Sequence, residues 1–288
     1  MIYLLLSILA STIIFIIFKL FEKFQINIFQ AIVVNYCIAF TTGILSYNGT
    51  ITISQLPNLD WFYYTLILGA LFIIVFNLMG LTTQKSGLSV VSVATKMSVV
   101  VPVLFGLLYY NESLGTLKLI GIAIALIAVY LTSNKSNQGI TVNRKSIVLP
   151  ILVFIGSGII DTSIKFLEDT FVAKNDVPLF SAIIFLAAAI LGFVFISIQI
   201  IKGSFKFEFK NVIAGICLGV PNYFSILVLL YALSYNGIES SVIFPINNMG
   251  IVLVSALVSF IWFKEHFSRK NWIGIAVAIL SISFIAFS

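Results

Sequence analysis

Lys96 stands near the middle of "SVVSVATKMSVVVPVLFG" (89–106), a run that otherwise carries no charge. Counting back along the chain, Ser92, Ser89 and Lys85 follow at spacings of 4, 3 and 4, so a helix here would carry all four on one stripe. An ionisable group at the bilayer centre costs roughly 2.5 to 3.5 kcal/mol on insertion scales, so such a stripe should face water or protein and not lipid. The chemistry it offers is attraction of a carboxylate or another anionic group. A second polar cluster lies in "SSVIFPINNMG" (240–250), where Asn247 and Asn248 each follow a serine by seven residues. These amides either hydrogen-bond a solute in a cavity or join neighbouring helices. Asn35, Tyr36, Asn77 and Tyr223 are further candidates for lining such a cavity.

Two acids extend the set. Asp161 precedes Lys165 by one helical turn, with the acid on the N-terminal side that favours an ion pair. Its other reading is a proton carrier, because a poorly solvated carboxylate holds its proton more tightly. Glu239, three residues after Asn236, belongs to a helix start or to the same proton path. Glu112 and Glu265 stand at helix ends and read as structural anchors. Ser92 and Lys96 also have the spacing of a Ser-Lys nucleophile and base, but no oxyanion-hole motif accompanies them. The chain has one histidine, His266, and no metal-ligand spacing, so neither a metal nor a cofactor is expected. In "GICLGVPNYFS" (215–225), Pro221 predicts a kink and a freed carbonyl four residues earlier.

These residues must be held by elements of a particular kind. Of 288 residues 60% are hydrophobic and only 9% charged, and the mean hydropathy is +1.15; no soluble globular domain has this composition. About ten apolar stretches are long enough to cross a bilayer. The first five cover residues 2–18, 28–46, 61–81, 88–110 and 117–132; the second five cover 147–164, 179–201, 212–233, 238–263 and 272–286. They are continuously apolar and do not alternate, which in lipid means helices and not a barrel. The connections are short, and no basic segment precedes the first stretch as a signal peptide would require. Cys37 and Cys217 fall inside predicted spans and read as packing residues.

The chain also repeats itself. Shifted by 146, "STIIFIIFKLFE" (11–22) falls on "SGIIDTSIKFLE" (157–168); later "YYNESLGTLKLIGIAIALI" faces "WFKEHFSRKNWIGIAVAIL", with Glu112 and Gly121 on Glu265 and Gly274. Residues 1–133 and 147–288 are therefore expected to be two five-helix repeats. An odd number of spans inverts the second copy, which predicts an all-α integral membrane protein with a midplane site between inverted halves. Asp161 has Phe15 as its counterpart and breaks the symmetry. The spacings Gly121 to Ala125 and Gly274 to Ala278 predict close helix packing, within a monomer or between subunits.

Two five-helix units, each ending in a glutamate and a Gly-rich fifth helix, resemble the EamA-type members of the drug/metabolite transporter superfamily over essentially the whole chain. Pro102, Glu112 and Gly121 fit that family's pattern, whereas the second half has Ser255 in the proline position and Pro245 ten residues earlier. The resemblance implies a small-solute carrier with a central cavity and does not name the solute. The expectation is thus alternating-access transport of a small polar or amphipathic metabolite in the inner membrane. It would act as a monomer or homodimer without nucleic acid, through Lys96, Ser92, Asn247, Asn248, Asn35, Asn77 and Tyr223, with Asp161 and Glu239 as proton carriers. An intramembrane enzyme and a non-transporting scaffold are the competing classes. Lys and Arg concentrate in loops after odd-numbered spans, which places both termini outside the cytoplasm; the family resemblance implies the opposite.

Overall fold

The computed structural model describes residues 2–109, 116–133, 144–233, 240–265 and 267–286. Among them every regular element is helical: α1 (Ile2–Lys23), α2 (Ile28–Leu45), α3 (Phe62–Ser86), α4 (Leu88–Met97), α5 (Val100–Tyr109), α6 (Thr116–Ser133), α7 (Arg144–Phe171), α8 (Val177–Ile201), α9 (Phe209–Leu233), α10 (Ser240–Ile261) and α11 (Arg269–Ala286). Six meet the length and apolarity needed to cross a bilayer: α1, α2, α3, α8 and the stretches Ile147–Glu168 of α7 and Phe209–Leu229 of α9. Large apolar side chains such as Leu5, Ile67, Phe195 and Ile273 point outward, a surface that lipid solvates and water does not. The protein is a multi-pass membrane protein.

Local chemistry sets the helix limits. The Asn27 side chain accepts the Gln30 amide at 3.1 Å and caps α2, and Pro178 opens α8 where its missing N–H costs nothing. Gly87 has φ +104°, a conformation that side chains disfavour, and it separates α3 from α4. This corrects the polar stripe: Lys85 ends α3, so only Ser89, Ser92 and Lys96 share a helix.

The stretch expected as one span at 88–110 is divided. Two turn residues, Ser98 and Val99, interrupt the helix between α4 and α5. Pro102 explains the position, because a proline has no N–H for the carbonyl four residues back and its ring crowds that carbonyl, here that of Ser98. Ser98 O instead accepts the Val101 amide at 2.9 Å. Pro102 itself lies in the first turn of α5, where proline is tolerated. Pro221 stands inside α9, which continues as a helix on both sides of it, the setting in which a proline bends a helix without ending it.

Contacts divide the chain into two compact units, each drawing on both halves of the sequence. The first comprises Met1–Leu20, Leu78–Ile159 and Phe224–Ser288; the second comprises Phe21–Asn77 and Ile160–Tyr223. In the first unit α6 and α11 lie antiparallel. Asn271 Nδ2 donates to Thr132 O at 2.8 Å near one end, and Ser281 Oγ donates to Gly121 O at 2.7 Å nearer the other. A Cβ on Gly274 would sit 2.9 Å from the Thr132 backbone nitrogen, so this glycine permits the close approach. The small-residue spacings thus serve a contact within one chain. Helices α4 and α10 also lie antiparallel, joined at Ser92 to Ser255 and at Leu88 to Glu265 beyond the end of α10.

In the second unit α2 and α8 are antiparallel: Gly43 abuts Ala182, and Gly192 abuts Val33. The core here is aromatic. Tyr36 stacks on Phe185 with ring centroids 5.9 Å apart, lies 5.7 Å from Phe76, and donates its hydroxyl to Phe72 O at 2.8 Å. That bond satisfies the one polar atom of a side chain with 0% exposure.

Candidate functional site

In the first unit the polar residues gather where α4 ends. Lys96 lies in the last turn of α4 and is half-buried. The C-terminal end of a helix carries partial negative charge from unbonded carbonyls, so a cation is favoured there. One neighbouring hydroxyl takes up part of the same end, Ser98 Oγ donating to Thr95 O at 2.5 Å, while Thr95 Oγ1 donates back into the helix at Val91 O, 2.8 Å away. Helix α7 seats against the break at Gly158, where a Cβ would fall 2.4 Å from Val101 Cγ2 and 3.0 Å from Ser98 O.

Asn247 approaches this end from the opposite direction. Ser255 donates to Ser92 at 2.6 Å; on antiparallel helices Lys96, four residues past Ser92, is level with residue 251, four before Ser255, and Asn247 lies one turn further along α10 in the direction of the break. Asn247 is 2% exposed and its Oδ1 has no hydrogen-bond partner among the described residues. A buried acceptor left without a donor costs about 1–3 kcal/mol, which marks it as a group that a donor could satisfy. Asn248 beside it is half-buried.

Ser92 does not join them. It has 0% exposure, donates to Ser89 O at 2.9 Å and accepts from Ser255. The bond from Ser255 ties α4 to α10 through Ser92. Ser255 stands where the sequence comparison of the two halves expects the counterpart of Pro102. Without proline α10 stays continuous, and the hydroxyl supplies this bond.

In the second unit Asn35 is fully buried and its Oδ1 accepts from Asn222 Nδ2 at 3.1 Å, while its own Nδ2 has no hydrogen-bond partner among the described residues. Gly215 and Gly219 make this possible: a Cβ on either would lie 2.6 Å or 2.9 Å from a carbonyl oxygen of α2, that of Ala31 or Asn35. Tyr223 is buried and follows Asn222 on α9. Asn77 is half-buried and returns its amide to Ile73 O at 2.7 Å, within its own helix. Asp161 is exposed on α7. Glu239 and Glu112 lie outside the described residues, as does the side chain of Lys165.

Glu265 acts as the anchor its position suggested. Its Oε1 lies 3.2 Å from Lys19 Nζ and accepts the Leu88 amide at 3.3 Å, and its Oε2 accepts the Ser259 hydroxyl. One carboxylate thus holds the ends of α1 and α10 on the start of α4. Residues missed by sequence reasoning are Asn222 and Ser255 as partners of Asn35 and Ser92. Only three-dimensional packing pairs residues 187 and 163 positions apart.

No protein-family model matches the chain. A protein of known crystal structure superposes over 96% of this chain and 97% of its own, with a TM-score of 0.57 at 14% identity, so the two share a fold. An uncharacterized protein of Haemophilus influenzae strain Rd is 30% identical over 287 residues, which cover 96% of this chain and 94% of the relative. With that identity sustained from end to end, the chain belongs to the same family as the Haemophilus influenzae protein.

Proposed function

We propose that this protein is a secondary transporter of the EamA type, moving a small polar or amphipathic metabolite across the inner membrane by alternating access. The observation that carries the reading is the interruption of α4 and α5 beside Lys96, with the acceptor of Asn247, unpartnered among the described residues, on α10 in the direction of the break. Broken helices within a bilayer are tolerated where they line a cavity, and transporters bind solutes at them. Lys96 would attract an anionic group, and Asn247 would take a donor from the same solute, with Asn248 beside it. The antiparallel pairs α4 with α10, α6 with α11 and α2 with α8 support ten spans arranged as two inverted repeats, since each pair joins corresponding spans of the two halves. Proton coupling through Asp161 or Glu239 is part of the proposal.

A thermal-shift screen of purified protein against metabolites would identify the solute, because a ligand bound by the folded state raises its apparent stability. Uptake of that solute into proteoliposomes then tests the site. Lys96→Ala should weaken transport of an anionic solute at least roughly tenfold, the loss expected for one charge-assisted contact. Unchanged uptake in that variant overturns the role of Lys96. Equal uptake with and without a pH gradient overturns proton coupling.

A further inference from the structure

A cavity of about 240 Å³ lies in the first unit, away from the α4 break and at the opposite end of α4. It forms where the ends of α1, α3, α6 and α10 meet the starts of α4 and α11, and it is smaller than the roughly 300–1,000 Å³ of sites for drug-sized ligands. Lys19, Lys264 and Glu265 bring two ammonium groups and one carboxylate to it. That carboxylate is already engaged by Lys19, by the Leu88 amide and by the Ser259 hydroxyl. No carboxylate among the described residues pairs with Lys264, which is exposed at φ +49° on the rim.

The wall contains a second, independent feature. Ser89 lines the cavity at 4% exposure, and its hydroxyl has no hydrogen-bond partner among the described residues. It stands in the first turn of α4, whose N-terminal amides favour an anion. Other polar groups on the wall are occupied: Asn271 donates to Thr132 O and accepts from Ser268, and Thr132 Oγ1 donates to Ala128 O. The groups left to bind are a surplus cation and an unused hydroxyl beside a helix N-terminus.

We infer that this cavity binds a phosphate group, held by the Lys264 ammonium group and the Ser89 hydroxyl. The group could be presented by a soluble phosphate or by an anionic phospholipid headgroup, since the cavity lies at helix ends. The inference is independent of the transported solute. It is tested on the full-length protein in nanodiscs by thermal melting at constant ionic strength. One arm titrates inorganic phosphate against chloride in phosphatidylcholine discs, and the other replaces part of the lipid with phosphatidylglycerol.

A saturable rise in Tm with phosphate in the first arm identifies the soluble source. A rise with phosphatidylglycerol that phosphate does not extend identifies the headgroup. In either case Lys264→Gln, at an exposed site that leaves folding intact, should weaken binding roughly tenfold. Ser89→Ala should melt at or above the wild-type Tm without ligand, because it deletes an unpaired hydroxyl, yet should also bind more weakly. Those opposed signs separate a ligand contact from a structural role. No saturable shift in either arm, or equal shifts in wild type and both variants, overturns the inference.

Discussion

At the scale of single residues, Glu265 and Lys19 form an unequal pair. They lie 3.2 Å apart with side-chain exposures of 13% and 17%, so their charges are only partly screened. Removing Lys19 leaves Glu265 with the Leu88 amide, the Ser259 hydroxyl and the N-terminal end of α4. Removing Glu265 leaves Lys19 in a part-buried place and takes the cap from α4. Glu265→Ala should therefore cost about 2–3 kcal/mol, and Lys19→Met about 1 kcal/mol, both read from thermal melts of the purified protein. Equal losses would mean that the ion pair alone, and not the tether to α4, matters. The same logic separates Lys96 from Ser92. The serine hydroxyl bonds Ser89 and Ser255, whereas the lysine stands at a helix end whose partial charge suits it.

At the scale of elements, the interruption between α4 and α5 follows from one proline. Restoring an N–H at position 102 would let it bond Ser98 O and carry one helix through the turn. Pro102→Ala should leave stability unchanged or raise it by about 1 kcal/mol, the net worth of a hydrogen bond, while lowering transport. Melting and uptake measured on the same preparation check this, and full transport with a raised Tm would remove the break from the mechanism. The position was legible in the sequence only in part. Apolar length marked the stretches that became helices, with limits such as Ile28–Leu45 and Val177–Ile201 within a few residues of expectation. Pro102 and Pro221 look alike in sequence, but α9 stays helical where α4 stops. Gly87 was the available sign that Lys85 belongs to a different helix. The bonds of Asn35 to Asn222 and of Ser92 to Ser255 depend on which helices touch, which hydropathy does not encode.

At the scale of the whole molecule, the distribution of loop charge predicts which way the chain faces. Cytoplasmic loops retain Lys and Arg. In the first unit Lys19, Lys85, Lys264, Arg269 and Lys270 lie at or beside the helix ends around the cavity. In the second unit Lys206 follows α8, and its carbonyl accepts from Gln30 in the first turn of α2. That rule predicts that each of these connections faces the cytoplasm and that the segment between α2 and α3, where Asn48 is exposed, faces the other side. With Cys37 and Cys217 replaced by serine, single cysteines at positions 264, 206 and 48 can be tested in intact cells with a membrane-impermeant maleimide. Position 48 should label from outside, and positions 206 and 264 only after the membrane is opened. The reverse pattern would put the termini in the cytoplasm, as the family resemblance implies. It would also turn the phosphate cavity outward, towards a different leaflet and a different supply of anions.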